Sequence, residues 1–198
     1  MQIVEIKGEQ FYKIENSNTM RPFFMSIVSD SNHWMFISSN GGLTAGRKNA
    51  EFSLFPYYTD DKITESADIT GSKSIFHIHF DNQIHIWEPF SERFSVHKYA
   101  ISRNLYKNIY GNKIIFEEIN HNVGLTYRYQ CNSSSKYSFV RKSELQNNST
   151  NQYQIEFVDG IQNIMPYGVS SDLQNASSNL VDAYKRNKKK KKSGLGIF

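Results

Sequence analysis

From residue 123 to residue 130 the chain alternates without interruption. Val123, Leu125, Tyr127 and Tyr129 fall on one side of an extended backbone, Thr126, Arg128 and Gln130 on the other. Successive side chains of a strand point to opposite faces, so this period of two describes a strand with one buried and one wetted face. Tyr153, Ile155 and Phe157 alternate in the same way with Gln152, Gln154 and Glu156. One-sided strands of this kind pack as antiparallel sheets in a sandwich. The 14 Phe, 12 Tyr and 2 Trp among 198 residues suit the same half-buried, pleated surface. The expected fold class is therefore all-β, an antiparallel sandwich.

Further strands are expected over residues 24–29, 33–39, 74–80, 84–87, 94–101, 113–119 and 136–142, punctuated by turn residues such as Asp30-Ser31-Asn32 and Asn112. Between 74–80 and 84–87 a three-residue loop, Asp81-Asn82-Gln83, sets Phe80 against Ile84 and Ile78 against Ile86, which makes one face wholly apolar. One helix is expected over 172–185, where Leu173, Leu180, Val181 and Tyr184 share a face and Ser171 or Asp172 can cap the start. The organisation is thus a β-sandwich domain over 1–170, a short C-terminal helix over 171–186 and a basic linker over 187–198, expected to be a truncated end.

Charge and cysteine usage narrow the function classes. Seven of the 23 Lys and Arg lie within 184–198 with no acid beside them, leaving 16 against 19 acidic residues in the rest. A nucleic-acid module carries its basic stripe on the folded face, so no nucleic-acid partner is expected. No apolar run approaches the roughly 18 residues of a membrane span, and residues 2–7 lack the basic start and apolar core of a signal peptide. No membrane partner and a cytoplasmic location are the expectation. Cys131 stands alone, so no intramolecular disulfide can form.

Three constellations bear on chemistry. In the register above, His77, His79 and His85 share one face, and three imidazoles from adjacent strands can hold a zinc ion with an open fourth position. Ile75 and Trp87 on that face, and the lack of a carboxylate to orient the rings, favour ordinary packing histidines; no metal and no cofactor are expected. Asp60-Asp61 is expected in a loop and Glu117-Glu118 in a strand, where neighbouring side chains face opposite ways, so neither forms the facing couple that glycoside hydrolysis needs. No catalytic residue is assigned. Sugars present apolar C–H faces ringed by hydroxyls, which flat rings and polar donors grip together. Trp34, Trp87, Tyr57 and Tyr58, with Arg47 and Asn49 beside the Asn40-Gly41-Gly42 turn, are the candidate carbohydrate-binding residues. Core packing is the competing role for the two tryptophans.

The segments Thr19-Met20-Arg21-Pro22-Phe23, His33-Trp34-Met35-Phe36 through Asn40-Gly41-Gly42, Phe55-Pro56-Tyr57 and Ile86-Trp87-Glu88-Pro89-Phe90 form an ordered series. Arg103-Asn104-Leu105-Tyr106, Phe116-Glu117-Glu118-Ile119-Asn120-His121 and Asp159-Gly160 through Tyr167-Gly168 continue it. Together these resemble the N-terminal domain of the large cellobiose-phosphorylase-like carbohydrate enzymes, over most of residues 20–186. The resemblance implies a β-sandwich of the supersandwich type that braces a catalytic (α/α)6 barrel, with the catalytic acid in that barrel and not in this chain. It also implies an oligosaccharide substrate of the parent enzyme, and a loop that serves substrate binding or a homodimer contact. A free-standing carbohydrate-binding module and a zinc-dependent hydrolase are the alternatives.

Overall fold

The structure, a computed structural model, describes residues 2–56, 60–93, 98–166, 168–170, 172–174, 176–177, 188–189 and 196–197. Along the chain come β1 (Gln2–Ile6), β2 (Glu9–Ile14), β3 (Phe24–Ile27), β4 (His33–Ser38), β5 (Leu43–Arg47), a helical turn α1 (Asp60–Ile63), β6 (Gly71–Phe80) and β7 (Gln83–Trp87). Then follow β8 (Ile101–Asn108), β9 (Lys113–Asn120), β10 (Leu125–Ser134), β11 (Ser138–Asn147) and β12 (Gln154–Gln162). The strands form a six-stranded sheet in the order β1-β2-β8-β9-β10-β11 and two three-stranded sheets, β3-β4-β5 and β12-β6-β7. All these pairings are antiparallel. The chain is all-β and sandwich-like, as the alternation implies.

Alternation decides what is buried. Leu125, Tyr127, Tyr129 and Cys131 on β10 face the interior, next to Ile114 and Phe116 on β9 and Leu105 on β8. From the opposite layer come Met25, Ile27, Met35, Ile37, Leu43 and Ala45 of one small sheet and Phe76, Ile78 and Trp87 of the other. The rings of Phe116 and Tyr129 stack at 4.7 Å, and Phe76 meets Tyr127 edge-on at 5.2 Å. Such geometries add to what burial alone contributes.

A latch joins the layers at one side. The Arg141 guanidinium on β11 makes a two-pronged contact with Asp159 on β12, at 2.7 and 2.9 Å, and also donates to the Tyr127 hydroxyl and Ser72 Oγ. Burial would raise the Asp159 carboxyl, but hydrogen bonds from Arg141, Ser74 and Tyr127 outweigh it and hold the group well below the usual range.

The six-stranded sheet also curls on its far face. Lys7, in the turn between β1 and β2, reaches Glu144 on β11 at 2.8 Å, although these strands lie at opposite edges of the sheet. Inside the curl, Phe11, Tyr106 and Ile115 form a second, smaller core with Val4 and Ile6 against it.

Three expectations are corrected. The loop between β6 and β7 has two residues: Asp81 and Asn82 take φ values of 50° and 57°, and Phe80 pairs with Gln83. Asp and Asn tolerate the left-handed conformation that a tight hairpin turn requires, and that local preference prevails over the apolar face the longer loop would have made. The sequence places a strand at 94–101, whereas β8 begins at Ile101; residues 94–97 lie outside the described residues. Leu43–Arg47, where no strand is expected, is a strand paired with β4.

Of the helix expected over 172–185, residues 172–174 and 176–177 are helical, and the others lie outside the described residues. Its opening turn is capped by Ser170, whose Oγ accepts from the Leu173 amide at 3.1 Å. Within the expected basic linker, Lys188–Lys189 pairs antiparallel with Gly196–Ile197.

Candidate functional site

A cleft of about 270 Å³ opens where the six-stranded sheet meets the β3-β4-β5 sheet. Its polar wall is made of Ser17, Asn18, Ser39, Asn40, Glu92 and Asn104, with Arg103 at the base. Phe90, Phe116, Leu105, Met20 and Pro22 supply the apolar surface. Five stretches that are distant in sequence therefore converge on one concavity.

Strand parity explains the base. Arg103 and Glu118 are paired across β8 and β9, so both point into the sandwich. Glu118 is fully buried, and its carboxylate accepts from Arg103 Nε (2.8 Å), Trp87 Nε1 (2.8 Å) and the Phe90 amide (2.7 Å). The remaining nitrogens of Arg103 donate to Glu92 at 2.5 Å and to the Ser91 carbonyl at 3.1 Å. Burial works against the charge on Arg103, but Glu118 and Glu92 more than offset it, and its pKa is raised. Phe90 sits at a φ of +64°, a conformation rare outside glycine, and is held there by the Glu118 carboxylate and by edge-on packing on Phe116 and Tyr129.

The wall is also built by local rules. The Asn16 amide donates to Asn104 Oδ1 and Ser17 Oγ donates to the Arg103 carbonyl, fixing the turn at 17–19 over β8. Gly41 has a φ of +95°, which reverses the chain after β4, and a Cβ at Gly42 would overlap the Ile63 carbonyl. The Asn-Gly-Gly turn thus lets α1 dock on the hairpin and leaves Asn40 at the rim of the cleft, with its Nδ2 bonded to the Thr64 carbonyl.

One guanidinium, Arg103, and two carboxylates, Glu118 and Glu92, leave the base with no surplus positive charge to attract anions. Hydroxyls, amides and a carboxylate beside ring faces suit a neutral, hydroxyl-rich ligand. Glu92, well exposed, is the group most available to a ligand at the rim.

Trp34 lies on the outer face of β4, half-buried over Gly46, and tilts against Phe36 at 5.7 Å; Phe36 in turn meets Phe24 at 5.2 Å. This makes a short ladder of rings on the outer face of the small sheet, with Phe24 45% exposed. Arg47 is exposed at the end of β5, and Asn49 accepts from the Glu51 amide to cap a short helical turn. Neither is part of the cleft. Tyr57 and Tyr58 lie outside the described residues.

Trp87 is fully buried and spends its indole N–H on Glu118, so its ring offers no platform. The expected histidine face is not formed either. The two-residue turn sets His79 opposite Ile84 and His85 opposite Ile78, which puts His77 and His79 on one face and His85 on the other. Among the described residues no group of three His, Cys, Asp or Glu could hold a metal ion. The thiol of buried Cys131 is pushed up to about 12 by burial, which leaves it unreactive at neutral pH.

Sequence reasoning missed Arg103, Asn104, Phe90 and Glu92 as cleft residues. Phe90, Arg103 and Asn104 fall within the stretches that carry the family resemblance, but nothing local distinguishes a cleft residue from a packed one. No helix among the described residues is long and apolar enough to cross a membrane. Compared with protein-family models and with curated proteins, the chain matches neither a family model nor a curated relative.

Proposed function

We propose that this chain is a non-catalytic, carbohydrate-binding β-sandwich domain, and that it serves a carbohydrate-active enzyme of the cellobiose-phosphorylase-like kind by gripping a sugar and bracing the catalytic barrel. The observation that carries the binding role is the 270 Å³ cleft with a wall of hydroxyls, amides and Glu92 around Phe90 and Leu105. Pockets for drug-sized ligands begin at roughly 300 Å³, so this volume suits one sugar ring better than an extended chain. Its polar groups can exchange hydrogen bonds with ring hydroxyls while the apolar wall takes a C–H face. The Phe24–Phe36–Trp34 ladder supplies a second, flatter surface for adjoining sugar units or for the barrel.

Titration of the isotope-labelled chain with glucose, cellobiose and xylose, followed by amide chemical shifts, tests the binding role. Shifts should cluster at residues 17–22, 39–40, 90–93 and 103–105, and Glu92→Ala should weaken them about tenfold, as for loss of a charge-assisted hydrogen bond. Perturbation by none of these sugars would reject the binding role. Release of glucose 1-phosphate from cellobiose and phosphate by this chain would reject the non-catalytic reading.

A further inference from the structure

The edge strand β12 carries an unusual pattern. It pairs with β6 on one side and, among the described residues, with no strand on the other. Its nine residues read Gln154-Ile155-Glu156-Phe157-Val158-Asp159-Gly160-Ile161-Gln162, and Val158 and Phe157 are 72% and 65% exposed. Exposed edges are normally protected by lysine, proline or a bulge. This edge has no lysine and no proline, and its register with β6 runs unbroken from Gln154 to Gln162.

We propose that two copies of this chain pair antiparallel along β12, about a two-fold axis through Val158. In that register Gln154 meets Gln162, Ile155 meets Ile161, Glu156 meets Gly160, Phe157 meets Asp159 and Val158 meets itself. The strand is close to palindromic, and the axis uses that symmetry: like residues pair at the centre and the ends, and no acid lies opposite another.

Neighbouring registers lose these features. Moving the axis half a residue towards Phe157 sets Glu156 directly against Asp159, and like charges directly opposite destabilise a pair. It also sets odd-numbered residues against even-numbered ones. Odd-numbered residues of β12 share the interior-facing side with Phe76 and Ile78, so that slip would join the inner face of one copy to the outer face of the other. Centring on Val158 keeps the inner faces continuous.

The pairing joins β12-β6-β7 of each copy into one six-stranded sheet, equal in strand number to the large sheet opposite. Phe157 then lies diagonally across the axis from its equivalent, within reach for two rings. Asp159 also lies diagonal to its equivalent, and each is already neutralised by its own Arg141. The isologous contact consumes the β12 edge of both copies, so no third copy can add along β12.

Sedimentation of the full chain over a micromolar-to-millimolar dilution series should show mass rising from one chain to two and no further. Val158→Lys replaces an exposed side chain, so its circular-dichroism spectrum should be unchanged while the dimer dissociation constant rises about tenfold or more, because two lysines then face each other. Val158→Cys should give a disulfide-linked dimer under oxidising conditions, with Cys131 buried and silent. Glu156→Cys should not, because the two copies of residue 156 would sit four residues apart, about 13 Å along the strands. A single-chain mass at every concentration would overturn the proposal. So would an unweakened Val158→Lys dimer, or Val158→Cys crosslinking no better than Glu156→Cys.

Discussion

Glu117 and Glu118 are neighbours on β9, both buried and both engaged by an arginine, yet they hold the protein together in different ways. Glu118 points into the sandwich and binds groups from three separate parts of the chain: Trp87 on β7, Phe90 in the following loop and Arg103 on β8. Glu117 points into the curl of the six-stranded sheet, where Asn104 and Tyr106 from β8 and Arg128 from β10 surround it. The Arg103 side chain is 8% exposed and Arg128 33%. One counter-ion is therefore trapped between layers, and the other can turn to water. The cost of losing a buried acid depends on where its partner can go, not on the burial of the acid itself.

The largest effect should come from Glu118→Ala. It leaves the buried Arg103 with only the exposed Glu92 as counter-ion and takes the acceptor from the Trp87 indole and the Phe90 amide; breaking a buried pair in this way costs about 3–5 kcal/mol, readable as a drop in urea midpoint. Glu117→Ala should cost less, about 1–3 kcal/mol, since Arg128 can be resolvated while Asn104 and Tyr106 lose a hydrogen-bond partner. Equal losses for the two variants would break the comparison.

Acid sensitivity sharpens it. Burial would raise the Glu117 carboxyl, but the hydrogen bonds from Asn104, Tyr106 and Arg128 prevail and its folded pKa lies below the ordinary value. Such a group stabilises the fold above the unfolded carboxylate pKa of about 4.3, and that contribution is lost as pH falls through the lower folded value. Asp159 carries the same sign. Urea midpoints should therefore fall as pH drops below about 4.5, and Glu117→Gln should make that fall shallower. An unchanged slope would mean that Glu117 is not held ionised by its neighbours. The smallest effect belongs to Lys7→Ala, which removes an exposed ion pair closing the curl and should cost about 0.5 kcal/mol, less at high salt. A loss several times larger would show that the closure, and not the second core beneath it, organises this face.

Some of this architecture was legible from residue order. The burial of Leu125, Tyr127 and Tyr129 follows from their alternation, and the divergence of Glu117 and Glu118 follows from their adjacency in a strand. Phe157 followed the same alternation but remains exposed, on a strand that lies at the edge of its sheet. β5 was hidden because Leu43-Thr44-Ala45-Gly46-Arg47 has little strand propensity; its pairing with β4 and the burial of Leu43 and Ala45 make it a strand. β8 was misplaced because Arg103, Asn104, Leu105 and Tyr106 are all buried, two on each face, so no polar side marks the period. The histidine face failed on a single residue of register at Asp81-Asn82.

By itself the sequence determined which segments have one dry and one wet side and where the chain turns back, because steric preferences and side-chain alternation act over two or three residues. The tertiary structure alone decided that the strands divide into one sheet of six and two of three. It alone brought residues 17, 40, 92 and 104 to one cleft and, among the described residues, left one edge of β12 without a partner strand. Those outcomes depend on strand partners far apart in the chain, whose choice is set by the fit of whole faces and the satisfaction of every buried charge, and no local pattern encodes that sum.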